Sequence, residues 1–279
     1  MIIDAIGETL RNLPLITRSE FPQLRAVFIN QGDHKEAIEL ITTLKLYDQI
    51  YERTHFEIGD RPVFYPASGF SVDQPLLITH GSVITLQDPA FLNNGDKAIV
   101  ALLKSFGASV DDKHIDREGV LGSGGFIDIP YRLGGTRKKV RLYGDDAGIT
   151  IPNERYGFVL FQAATPANVN NIEEKDLSLP PYFSRILDRV DINGYLLAEP
   201  RYVLETTGFQ KVMEETNGAL SLYKRINLVE EDEIRKELLR QCPENDWPKH
   251  QFVIIDHKSS EDLTQLHQDL VDQIGIDEN

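Results

Sequence analysis

At 279 residues, with 41% apolar and 26% charged side chains, the chain can bury a sizeable core and has the balance of an ordinary soluble globular protein. Its net charge of −15 repels phosphate backbones and disfavours bulk nucleic acid as a partner; the single Cys242 excludes a disulfide framework and a cysteine-based metal centre. No stretch approaches the length of a membrane span, and Met1-Ile-Ile-Asp4 lacks the basic start of a signal peptide, so a cytoplasmic protein with no membrane partner is expected.

The first sixty residues read as a helical layer. Asp33 can cap a helix, with Glu36 at the spacing of a capping box. Ala37, Leu40, Ile41, Leu44, Tyr47 and Tyr51 then follow helical steps and give one apolar face.

Next comes Arg61-Pro-Val-Phe-Tyr-Pro-Ala-Ser-Gly-Phe-Ser71, an apolar strand running into a turn of small residues and a short helix. Val83-Ile-Thr-Leu-Gln-Asp88 is a second apolar strand that ends on a carboxylate. A nucleoside ligand needs this arrangement: the turn lets backbone approach it, and the acid accepts hydrogen bonds from ribose hydroxyls. Gly69 and Asp88 are 19 positions apart, close to the spacing of about 20 in such units. Asp88 before Pro89 also reads as the cap of a following helix.

Asn93 to Phe106 reads as a helix, with Ile99, Leu102, Leu103 and Phe106 on one side. Phe126–Leu133 alternates, meets Gly134-Gly135, and is followed by alternating Val140–Tyr143, which predicts a hairpin. Arg137, Lys138, Lys139 and Arg141 read as its solvated tip, or else as a local basic patch. Gly122-Ser-Gly-Gly125 precedes a strand and lacks Gly-Lys-Ser/Thr, so it reads as a linker and not a phosphate loop. Tyr156–Phe161 is a further core strand.

Ser178 with Pro180 and Pro181 starts a helix that runs to Val190, with Phe183, Ile186 and Leu187 inward. Asn193-Gly194 ends it and Tyr195–Ala198 begins a strand. Phe209–Met213, Asn217-Gly218 and Ala219–Arg225 form a second hairpin signal. The tail adds an acidic helix near Glu230–Arg240, a strand at Gln251–Asp256 and a helix at Glu261–Ile274. Domains are therefore expected at 1–60 (helical layer), 61–226 (α/β) and 227–279 (extension). The seven histidines show no His-x-x-x-His pair, so no metal site is expected, and no Gly-x-Ser-x-Gly elbow points to a hydrolase.

Over roughly residues 40–226 the chain resembles the class I S-adenosylmethionine (SAM)-dependent methyltransferases. The likeness rests on element order more than on identities. It implies an α/β, Rossmann-like sheet, mostly parallel with an antiparallel last strand, flanked by the N-terminal helical layer and a C-terminal βα extension. It also implies SAM as cofactor. Gly69 matches the middle glycine of the family's turn, while Ala67 and Ser71 replace the first and third. Tyr65 stands where the family carries an acid. The cofactor-binding residues implied are Tyr65, Pro66, Ala67, Ser68, Gly69 and Phe70, with Asp88 at the ribose. Asp145, Asp146 and Ala147 fall at the adenine-binding turn, and Gln162 where cofactor and acceptor meet. Asp145 and Asp146 after Gly144 read equally as an ordinary turn.

The activity implied is methyl transfer to a small-molecule or protein acceptor, in a pocket shaped by the N-terminal helices and the hairpin near Gly134. No catalytic residue is singled out, because the sulfonium is already reactive and alignment supplies much of the rate. The rival reading is a catalytically inactive methyltransferase-like interaction or regulatory protein, favoured by Tyr65 and the missing glycines. A nicotinamide oxidoreductase shares the first βαβ unit and fits poorly with the Asn217-Gly218 hairpin.

Overall fold

In the computed structural model, the residues described are 46–47, 49–69, 72, 75–76, 81–105, 107–133, 135–145, 147, 150–161, 179–198, 203–214 and 220–241. The capping box at Asp33, the Asn217-Gly218 turn and the tail beyond 241 lie outside them.

Two short runs, β1 (Val63–Pro66) and β2 (Val83–Gln87), are buried along almost their whole length and pair in parallel. A strand buried on both faces needs apolar side chains at both phases of its two-residue period, and Val-Phe-Tyr-Pro supplies them. Val63 and Tyr65 enter the core on one face, and Phe64 enters it on the other. The remaining strands are β3 (Ser109–Val110), β4 (Asp116–Glu118), β5 (Phe126–Leu133), β6 (Thr136–Tyr143), β7 (Tyr156–Phe161), β8 (Val190–Ala198), β9 (Phe209–Glu214) and β10 (Ser221–Arg225).

They form one sheet in the order β3-β5-β6-β2-β1-β7-β8-β10-β9, with β4 beside β5. From β6 to β8 every neighbouring pair is parallel. β10 enters antiparallel between β8 and β9. The fold is thus the expected α/β, Rossmann-like class, mostly parallel with an antiparallel last strand. Helices cover both faces. A helix over 46–58 (α1) and α2 (Gly95–Ser105) pack on one, through Tyr47, Ile50, Tyr51, Ile99 and Leu103. α3 (Leu179–Asp188) and α4 (Glu231–Gln241) pack on the other, through Phe183, Ile186, Leu187, Ile234 and Leu238.

Two boundaries differ from expectation. α3 stops at Asp188, and Val190 opens β8, which runs through Asn193-Gly194. The dipeptide is a bulge within that strand: Asn193 is left-handed at φ 56°, and the register against β7 shifts there. A buried Val190 continues the helical spacing of Phe183, Ile186 and Leu187, so periodicity alone places the boundary too late. β3 and β4, with two and three residues, carry too little pattern to be read from sequence.

The β5–β6 hairpin is stapled by Asp128. Its carboxylate accepts from Lys139 Nζ (2.7 Å) and from Arg141 Nε and Nη2 (2.8 and 3.0 Å); Arg141 also reaches Glu154 (2.8 Å). Burial raises the Asp128 carboxyl, but the hydrogen bonds and charges of Arg141 and Lys139 outweigh it and hold the group below the ordinary aspartate range. A carboxylate depressed in the folded state contributes stability above its unfolded value, and that contribution is lost as pH falls through the folded one. Asp128→Asn is therefore expected to cost about 2 kcal/mol at pH 7, with the difference from wild type shrinking below roughly pH 4. Urea unfolding at pH 7 and pH 3 checks this; an equal difference at both would show that charge is not involved.

Candidate functional site

In an open parallel sheet, ligands bind outside the carboxyl ends of the strands, where the strand order reverses. Here the chain leaves β1 outward to β2 and β6, then returns to β7 and β8 on the other side, so the reversal lies between β1 and β7. The turn after β1 and the residues following β2 and β6 meet at that end.

The turn is tight. Ala67 and Gly69 both sit in the left-handed region, at φ 51° and 52°. For Ala67 this conformation costs roughly 1 kcal/mol, and only surrounding contacts hold it. Those contacts come from the last residue of β2 and the one after it. Ser68 N donates to Gln87 O (3.3 Å), and Gly69 N donates to Asp88 Oδ2 (2.9 Å). Above Gly69 the space is open: a Cβ built there meets nothing within 4 Å.

Asp88 is half-buried and works in two directions. Its Oδ1 accepts from Ala90 N (2.9 Å), capping the 3-10 turn Pro89–Leu92, while Oδ2 holds Gly69 N. Its own amide donates to Tyr143 O (3.0 Å), which ties the end of β6 to the same point. The cap and the strand-end carboxylate are thus one group. Each carboxylate oxygen keeps a further acceptor site after these two bonds.

Asp145 lies just beyond β6 and is nearly buried, with Oδ2 accepting from Gly124 N (3.2 Å). The Gly122–Gly125 segment is therefore no free linker; it folds against the strand ends. Gly144 packs closely there: a Cβ would come within 2.9 Å of the end of the Leu92 side chain and 3.2 Å of Leu121 Cβ. Gln87 is buried, and its Nε2 donates to Thr150 O (2.7 Å), which fastens the chain after β6 to β2. Sequence reasoning missed Gln87 and Gly124; the crowded glycines between 119 and 125 were the available signal.

Of the residues expected at the site, Ala67, Ser68, Gly69, Asp88 and Asp145 come together at the strand ends. Pro66 closes β1 and is buried. Tyr65 is a core residue, packed with the apolar cluster that includes Leu86 and Val72. Strand alternation sends its side chain onto the face covered by α1 and α2. Ala147 is buried in the opposite cluster, with Tyr156 and Val159. Phe70, Asp146 and Gln162 lie outside the described residues. The hairpin tip beside Gly135 is at the amino end of β6, where Leu133 pairs with Thr136, and so faces away from the crevice. It cannot shape a pocket there, contrary to the expectation.

No protein-family model matches the chain, and no curated protein does. Solved structures with a remote likeness include magnesium protoporphyrin IX methyltransferase from Synechocystis PCC 6803 with bound SAM. It shares 10% identity over 76% of this chain and 94% of that one, with a TM-score of 0.43. A second is the N-methyltransferase NodS from Bradyrhizobium japonicum WM9 in complex with S-adenosylhomocysteine, at 7% identity over 75% and 100%, TM-score 0.40. A third is StiE O-MT, at 9% identity over 86% and 96%, TM-score 0.44. Likenesses this distant transfer no activity. Among the described residues, no helix is long and apolar enough to cross a membrane, and no group of three or more His, Cys, Asp or Glu is arranged to hold a metal ion.

Proposed function

We propose that the chain is a SAM-dependent methyltransferase acting on a small molecule or protein. The observation that carries the reading is the joint between Asp88 and the Ala67–Gly69 turn, at the reversal point of a sheet whose last strand is antiparallel. Open space over Gly69 admits a ligand close to backbone. The carboxylate beside it, pre-oriented by two amides, has acceptor sites left for a pair of ribose hydroxyls. Residues Ala67, Ser68 and Gly69 would bound the sugar, and Asp145 the base. When bound, SAM supplies an activated methyl group; the chain's task is to orient it and exclude water.

A second reading draws on specific observations. Asp88 and Asp145 both serve the chain's own amides, and Tyr65 is in the core with no acid in its place. These favour a methyltransferase-like interaction or regulatory protein without catalysis. Isothermal titration with SAM and, separately, S-adenosylhomocysteine tests the pair. Micromolar binding at one site is expected; no heat and no thermal shift at millimolar ligand would leave the second reading.

A further inference from the structure

A cleft of about 660 Å³ opens at the far end of the sheet from Asp88, between the segment after β3 and the tip of the β5–β6 hairpin. β6 runs from this cleft to the crevice over eight residues, so the two are about 20 Å apart. Ser109, Arg132 and Arg137 lie side by side across β3, β5 and β6 and therefore share one face. Arg132 and Arg137 are directly opposite each other, an arrangement of like charges that is destabilising by itself.

The cleft's carboxylates have partners of their own. Asp111 is hydrogen-bonded to the His114 ring (2.7 Å), and Asp112 forms an ion pair with Lys104 (2.9 Å). Two residues further along β6, Lys139 is held by Asp128. Arg132, Arg137 and Lys113, all lining the cleft, have no acidic partner among the described residues. This happens in a chain where acids outnumber bases 44 to 29, so partners are not scarce. An anion bridging the guanidinium groups would turn the repulsion into attraction, and guanidinium forks suit phosphate oxygens.

We propose that this cleft binds a compact phosphate-bearing molecule. Its volume is that of a small-molecule site, and the −15 charge of the whole chain opposes an extended polyanion. The site is separate from the SAM crevice and stands without it.

The test is calorimetric titration of the full chain with inorganic pyrophosphate at constant ionic strength, in wild type and in Arg132→Gln/Arg137→Gln. One saturable site is expected, weakened at least tenfold in the double variant. The variant's thermal midpoint without ligand should equal or exceed that of wild type, since a repulsion has been removed. Absence of saturable heat in wild type, or equal affinity in both proteins, overturns the proposal. A single-stranded oligonucleotide binding more tightly than pyrophosphate overturns the compact-ligand assignment. S-adenosylhomocysteine titrated into the same samples reads the crevice separately, so the two proposals fail independently.

Discussion

In the Asp88→Ala variant, S-adenosylhomocysteine affinity is expected to fall by at least about 100-fold. A carboxylate that accepts two ribose hydroxyls contributes roughly 1.5–3 kcal/mol per bond, and about 1.4 kcal/mol is a factor of ten in affinity. The same substitution is not silent for folding. It removes the cap of Pro89–Leu92 and the acceptor that holds Gly69 N, so a further loss of about 2 kcal/mol in stability is expected. The carboxylate thus has a structural role of its own beside the proposed one toward the ribose. Titrating at a temperature where the variant's circular dichroism is native separates the effects. Asp88→Asn keeps a cap-competent oxygen and loses the charge, so it should fold better than Asp88→Ala and still bind weakly. Wild-type affinity in either folded variant would remove Asp88 from the cofactor site.

The second large effect is expected at Arg225, the last residue of β10, whose side chain is fully buried. Its guanidinium donates to five carbonyls: Leu187 O (2.8 Å), Asp188 O (3.0 Å), Val190 O (2.7 Å), Asn227 O (3.2 Å) and Val229 O (3.0 Å). The first two are among the carbonyls that the end of α3 leaves without helical partners, where a cation also meets the negative end of the helix dipole. Val190 opens β8, and Asn227 and Val229 lead into α4. One side chain thus joins the ends of three elements. Burial pushes its pKa down to about 10, still far above neutral, so it enters the core charged. Phe209 lies 5.6 Å from the guanidinium, and Asp188 Oδ1 3.8 Å from Nη2.

Arg225→Ala should lower stability by roughly 3–5 kcal/mol, because the carbonyls stay buried while their donor is removed. That corresponds to a midpoint drop of roughly 6–20 °C for a domain of this size. Arg225→Lys retains charge but only three donors without the planar fork, and should recover part of the loss. Denaturant unfolding of both variants measures this. A cost under about 1 kcal/mol for alanine would mean that the carbonyls find other donors.

Much of the architecture is legible in the sequence because it depends on local pattern. Val-Phe-Tyr and Tyr-Gly-Phe-Val-Leu-Phe are apolar at both strand phases, so they belong at the centre of a sheet covered on both faces. Ile99 and Leu103, four apart, fix the buried side of α2. The Phe126–Tyr143 stretch carries its own turn, so its register follows. These features also determine the class of fold and the strand ends at which a site must be sought. Asp88 is visible as well, since it ends a buried strand and precedes a proline.

What the sequence leaves open is decided by contacts between distant residues. Whether Asp88 caps a turn or holds the loop after β1 depends on Gly69, nineteen positions away, and it does both. Tyr65 follows the same apolar run as its neighbours; only strand alternation under α1 and α2 assigns it to the core instead of the crevice. The hairpin tip is sent to the opposite end of the sheet by the direction of β6, which pairing with β2 sets. Arg225 has no local signature, because its five acceptors come from the ends of α3 and β8 and the approach to α4. Backbone carbonyls are identical along any sequence, and only folding selects which of them meet one guanidinium.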